Sequence, residues 1–168
     1  MHKECGSITE YCAVKNAGFT MIELIMVMVV LGILSVSASS LFSSKSNYVT
    51  FIAKDQLISM SLLAQQSALA QQQVVIVLCV SQTSDDWVFE VRESSCSTGD
   101  VFVESTAERE SATLLQDALP FVSPQTFTYN NAASLSGGNN IQFLFVGDSD
   151  REVCLSSTGF AYSGVCQL

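Results

Sequence analysis

Phe19-Thr20-Met21-Ile22-Glu23-Leu24-Ile25-Met26-Val27-Met28-Val29-Val30-Leu31 sets a single carboxylate at the start of an aliphatic run. No charged residue occurs from Leu24 to Ser44. Phe19 to Phe42 is 24 residues, about 36 Å of helix at about 1.5 Å per residue. That length crosses a hydrocarbon core of about 30 Å with some tilt. A buried core helix would carry an apolar stripe, whereas this segment is apolar all round. The run therefore predicts a membrane-inserted helix. A secretory signal peptide would place a basic start and a short apolar region ahead of a small-residue cleavage site. Here eighteen residues precede the run, the reverse order, although Ser35-Val36-Ser37 and Ser37-Ala38-Ser39 have cleavage-site spacing. Lys3 and Lys15 before the span balance Lys45 and Lys54 after it, so the positive-inside comparison assigns no orientation.

Glu23 breaks the pattern. An ionised carboxylate costs about 2.5–3.5 kcal/mol near a bilayer centre and less at an interface, while a helix N-terminus favours it through the macrodipole. Its surroundings, Asn16-Ala17-Gly18-Phe19-Thr20-Met21-Ile22-Glu23-Leu24, resemble the processing site of type IV pilins and pseudopilins. That site is a Gly followed by Phe-Thr-x-Ile-Glu and an unbroken aliphatic helix. The resemblance implies cleavage after Gly18, a new N-terminus at Phe19 that becomes N-methylated, and an assembly role for Glu23. Gly32 matches a glycine common within the span of such proteins. The implied partners are a prepilin peptidase/N-methyltransferase, other pilin or pseudopilin subunits, an inner-membrane assembly platform and membrane lipid. The implied location is the inner membrane with a periplasmic head, followed by a pilus or a periplasmic pseudopilus. The freed amine of Phe19 would be largely cationic, with a reference pKa of about 7.7–8.0, and Glu23 lies one helical turn on. In a filament, Glu23 of an incoming subunit would pair with the Phe19 amine of a neighbour, removing two costly lone charges from hydrocarbon. Residues 1–18 become a cytoplasmic leader, taking Cys5 and Cys12 with them. This leader is longer than many, and Asn16-Ala17 stand where Lys or Arg is usual.

Beyond the span, residues 45–73 are good helix formers with no Pro before Pro120. A stripe can be traced through Tyr48, Phe51, Asp55, Ile58, Leu62, Gln65 and Leu69, polar at Asp55 and Gln65 and widened by Ile52 and Leu63, so this half is amphipathic. If both halves form one helix, Phe19 to Gln73 extends about 80 Å, so the first half (19–44) must protrude from the head. Many pilins carry a Pro near the middle of this helix, where Ser39-Ser40 stand here. After Gln73 the pattern turns to period two. Val74 to Val80 and Trp87 to Arg92 read as a hairpin across Ser84-Asp85. Val101 to Glu104, Thr126 to Tyr129, Ile141 to Val146, Arg151 to Leu155 and Phe160 to Val165 are further strands. Gly137-Gly138-Asn139-Asn140 and Ser157-Thr158-Gly159 are turn chemistry, and Ala107 to Asp117 is a loop or a short helix. The expected class is α+β: a long N-terminal helix on an antiparallel sheet, with residues 74–168 as the head. The segments Ala53 to Leu57 and Ala64 to Ala70 resemble the H-type pseudopilin and FimT-like minor pilins. Gly159-Phe160-Ala161-Tyr162 and the paired cysteines resemble minor pilins of mannose-sensitive haemagglutinin (MSHA) systems.

Cys79, Cys96, Cys154 and Cys166 remain outside the leader. An even number in an exported domain favours disulfides, with three possible connectivities. Proximity favours Cys79–Cys96 and Cys154–Cys166, but a hairpin centred on Thr158 would set Cys154 against Tyr162, so the tail must fold back. A zinc site is the rival, with wide spacings and the one His, His2, in the leader. Asp148-x-Asp150-x-Glu152 is a calcium candidate or a solvated hairpin turn. Arg92, Glu93 and the run from Glu104 to Glu110 read as a solvated face.

Enzyme classes find little here. Without a His outside the leader, Ser and Cys nucleophiles lack their usual base, and no phosphate-binding Gly loop is present. No catalytic residue and no cofactor is expected. A net charge of −9, with seven basic against sixteen acidic residues, argues against nucleic acid, which needs clustered positive charge. Three roles stay open: a minor pilin of a type IV pilus, a pseudopilin of a type II secretion system, and a single-span periplasmic binding domain.

Overall fold

The computed structural model describes residues 19–39 and 45–167. The chain divides into two compact units, one ending at Ser43 and one beginning at Ser44. The first unit contributes α1, Met21–Ser39, 19 residues long. Taken alone, no helix among the described residues is long and apolar enough to cross a membrane. The apolar run read from the sequence continues past Ser39 into residues 40–44, which lie outside the described set.

The second unit opens with α2, Lys45–Ala70. Nine strands follow: β1 Ile76–Gln82, β2 Asp86–Glu93, β3 Val101–Glu108, β4 Thr113–Gln116, β5 Leu119–Pro120, β6 Gln125–Tyr129, β7 Ile141–Val146, β8 Arg151–Leu155 and β9 Ala161–Ser163. They form two antiparallel sheets, ordered β3-β2-β1-β6 and β5-β4-β7-β8-β9. The alternating burial along β2, with Trp87, Phe89 and Val91 inside, is the signature of a sheet with one face on a core. Aromatic edges join the two sheets. Trp87 meets Phe145 at 5.1 Å and 77°, and Phe127 meets Phe143 at 5.5 Å and 85°, both in the edge-to-face geometry favoured by the ring quadrupole.

Helix α2 lies against both sheets, and its contact face differs from the stripe traced on the sequence. Val49, Ala53, Leu57, Met60, Ala64 and Ala68 are buried, whereas Tyr48, Phe51, Leu62 and Leu69 are exposed. Small side chains decide this: the alanines let the helix backbone approach the sheets, which a hydropathy stripe does not register. Polar groups then fasten the helix to both sheets. The Thr50 hydroxyl donates to the Ser149 carbonyl at 2.8 Å, Gln56 Nε2 to the Thr106 carbonyl at 3.0 Å, and Gln65 Nε2 to the Thr158 carbonyl at 3.3 Å. Ser61 and the Tyr129 hydroxyl share a buried hydrogen bond of 2.9 Å.

Three boundaries shift. The helix ends at Ala70, so Gln71 to Val75 form a turn and an approach to β1. The stretch Ala107 to Asp117 is neither a loop alone nor a helix: β3 runs on to Glu108, and β4 starts at Thr113. Ala112 and Leu114 are buried while Thr113 is exposed, a period-two pattern too short to register before pairing with β7. The last strand covers only Ala161–Ser163 because Gly164, at φ 114°, turns the tail away.

Candidate processing and assembly site

Phe19 and Thr20 precede the first turn of α1. Thr20 is the N-cap: its Oγ1 accepts from the Glu23 N–H at 3.3 Å, and its carbonyl accepts from the N–H groups of Glu23 and Leu24 at 3.1 and 3.2 Å. Thr-x-x-Glu is the capping-box spacing. The spacing of Thr20-Met21-Ile22-Glu23 is the signal in the sequence for this cap. Glu23 thus sits at the third helical position, where the macrodipole favours a carboxylate. It is exposed, and so is Phe19, at 75%. Gly18 and the residues before it, the expected leader, lie outside the described residues.

Every large side chain of α1 between Met21 and Leu34 is exposed, and the least exposed of them, Val27, stands at 48%. Burying a side chain of this kind stabilises by roughly 1.5–3 kcal/mol, so this surface holds a large unrealised gain on burial. A Cβ added at Gly32 would meet nothing within 4 Å, so no packing among the described residues requires glycine there. The Ser35 hydroxyl donates back to the Leu31 carbonyl at 2.7 Å, a bond that bends helices slightly.

In the head, Cys79 is joined to Cys96 and Cys154 to Cys166, with Cα separations of 5.7 and 4.9 Å. The register pairs Cys154 with Tyr162 and also with Gln142, so the tail has to return across β8's neighbours to bring Cys166 in. It is held there by the Cys166 N–H donating to Gln142 Oε1 at 2.7 Å and the Gln167 N–H donating to the Tyr162 hydroxyl at 3.0 Å. Closing loops of 17 and 12 residues contributes on the order of 3 kcal/mol each in the chain-entropy account.

The calcium candidate is not assembled. Among the described residues no group of three or more His, Cys, Asp or Glu is placed to hold a metal ion. Asp148 and Asp150 belong to the β7–β8 turn, where Asp150 Oδ1 accepts from the Gly147 N–H at 3.2 Å, while Glu152 lies on β8 opposite Leu144. The carboxylate is spent on the turn instead. On β2, Glu90 accepts from Arg92 Nε and Nη2 at 3.0 and 2.7 Å, and this pairing raises the guanidinium pKa above its ordinary value.

Residues 14–39 match the family model of the prokaryotic N-terminal methylation motif. Two crystal forms of the type IV minor pilin FimU from Pseudomonas aeruginosa are similar in structure, both at 15% identity. One covers 69% of this chain and 88% of FimU at a TM-score of 0.51, the other 67% and 90% at 0.47. At this identity the likeness speaks for the fold, which is the expected α+β pilin fold. No curated protein matches the chain in sequence.

Proposed function

This chain carries a type IV prepilin methylation motif on a type IV pilin fold, and from that premise we propose that it is a minor pilin subunit. Prepilin peptidase cuts it after Gly18 and methylates Phe19. The apolar helix holds it in the inner membrane with its head in the periplasm, and the subunit then joins, or primes, a type IV pilus together with other pilins at the assembly platform. The observation that carries this reading is α1 itself. An N-terminal helix capped by Thr20, with one carboxylate in its first turn and an apolar surface exposed all round, is built to bury itself in lipid and then against other helices. In a filament, Glu23 pairs with the Phe19 amine of a neighbouring subunit, and the two disulfides of the head suit the oxidising periplasm.

A pseudopilin of a type II secretion system shares the same motif and is the second reading. Recovery of the protein in sheared surface filaments supports the pilus. Absence from such filaments, together with loss of exoprotein secretion on deletion, supports the pseudopilus instead.

A further inference from the structure

Among the described residues the two sheets present four edge strands, and three of them are closed. Strand β5 has two residues and ends in Pro120. Strand β9 has three residues, and the tail following it is held through Cys166 and the Tyr162 hydroxyl. Strand β6 is covered by the segment after it: the Ser136 N–H donates to the Thr128 carbonyl at 2.8 Å, and Tyr129 bridges to Leu135. Strand β3 is different. It is eight residues long, contains neither Pro nor Lys, and begins Val101-Phe102-Val103, exposed at 44%, 38% and 40%. Open, apolar edges of this kind are normally shortened, covered or broken.

Its hydrogen-bonding direction follows from the register. Asp86 pairs with Glu108, and the Arg109 N–H donates to the Asp85 carbonyl at 2.7 Å. Residues 103, 105 and 107 therefore face β2, and Glu104 and Thr106 turn their peptide groups away from it. Gln56 occupies only the Thr106 carbonyl. The register shift between Val91 and Arg92 places the irregularity beside Phe102, leaving Val103 to Glu108 in regular pairing.

The charge around this edge is one-sided. Eight of the sixteen acidic residues lie between Asp85 and Glu110, against only Arg92 and Arg109. Arg92 is engaged by Glu90, and Arg109 donates to the carbonyls of Ala112 and Thr83. Glu104 and Glu108, on the edge itself, are exposed. Like charges directly opposite one another destabilise a strand pair, so a second copy of β3 is repelled and a cationic strand is favoured.

We propose that β3 is a docking edge that takes an extended, Lys- or Arg-bearing segment of a partner protein as an additional strand. Main-chain bonds at the Glu104 N–H and carbonyl and at the Thr106 N–H would hold the segment, the Thr106 carbonyl being taken by Gln56, while Val101 to Val103 would pack on its apolar side chains and the surrounding carboxylates would select its charge. The inference stands on the head and does not depend on the filament reading.

The test uses the full chain in detergent micelles and two labelled peptides as long as β3, one alternating Val and Lys, the other Val and Glu. The Lys peptide is expected to bind at least roughly tenfold more tightly, to weaken with salt, and to slow amide exchange at Glu104 and Thr106. Glu104→Pro removes an N–H that takes no part in the β2–β3 ladder, and it should abolish binding. The double variant Glu104→Lys, Glu108→Lys, which keeps every backbone bond, should reverse the preference between the peptides. Equal binding of the two peptides, unchanged exchange at those two amides, no binding of either, or self-association through β3 would overturn the proposal.

Discussion

Glu23 combines two demands that usually conflict. The first turn of α1, capped by Thr20 through the Glu23 backbone N–H, favours a carboxylate through the helix dipole, while the apolar run that follows penalises it unless a cation arrives. Replacing Glu23 with Ala should leave cleavage after Gly18 intact, because the Gly-Phe bond and the apolar helix remain. It should abolish incorporation. Mature-length protein confined to the membrane fraction and missing from filaments is the expected result, and normal incorporation would sink the pairing of Glu23 with a neighbour's Phe19 amine. In the head, Tyr129 makes a different residue-scale prediction. Burial pushes its pKa up to about 12, and the hydrogen bond with Ser61 only partly offsets that. The unfolded tyrosine ionises near 10, so between about pH 10 and 12 the unfolded state loses its proton first. The stabilisation from the neutral phenol is complete below pH 10 and is lost as pH rises through that window, by roughly 2–3 kcal/mol. Urea titrations at neutral and alkaline pH should show a steeper alkaline fall for the native chain than for Tyr129→Phe, and parallel profiles would contradict it.

Helix α2 shows how much of an element a sequence discloses. Its existence and approximate length were legible from helix-forming composition, but its buried face was not. Hydropathy weights Tyr48, Phe51, Leu62 and Leu69, all of which stay exposed. The face that meets the sheets is written in Ala53, Ala64 and Ala68, at 0%, 0% and 3% exposure, residues chosen for their size. Ala64→Leu should therefore destabilise the head by about 1–3 kcal/mol through overpacking, whereas Leu62→Ala should shift stability by no more than about 0.5 kcal/mol. Chemical denaturation of the two variants separates them, and the opposite order would restore the hydropathy stripe. The strands were easier to read because period two survives in short runs: β7 and β8 have the bounds expected from sequence alone. Strand β4 escaped because four residues alternating around Leu114 do not distinguish a strand from a turn until β7 supplies its partner.

At the scale of the whole molecule, one hydrophobic segment and one acidic head divide the composition between them. The mean hydropathy of +0.36 is unusual for a small domain, and it resolves into the aliphatic run of α1 and an ordinary core in the second unit. The methylation motif was legible because its signal is local: a glycine, an aromatic residue and a carboxylate one turn on lie together in the chain. The open edge of β3 was not legible, since openness is a property of sheet order and of what the other strands cover. The calcium candidate failed for the same kind of reason, because spacing along the chain does not say that a turn will consume Asp150. Everything proposed for the first unit depends on where the mature chain begins. Intact-mass measurement of the protein extracted from membranes tests this most directly. A chain starting at Phe19 and carrying one methyl group on its amine is the expected result. An uncut chain, or one cut near Ser39, would contradict processing at Gly18 and with it assembly through α1.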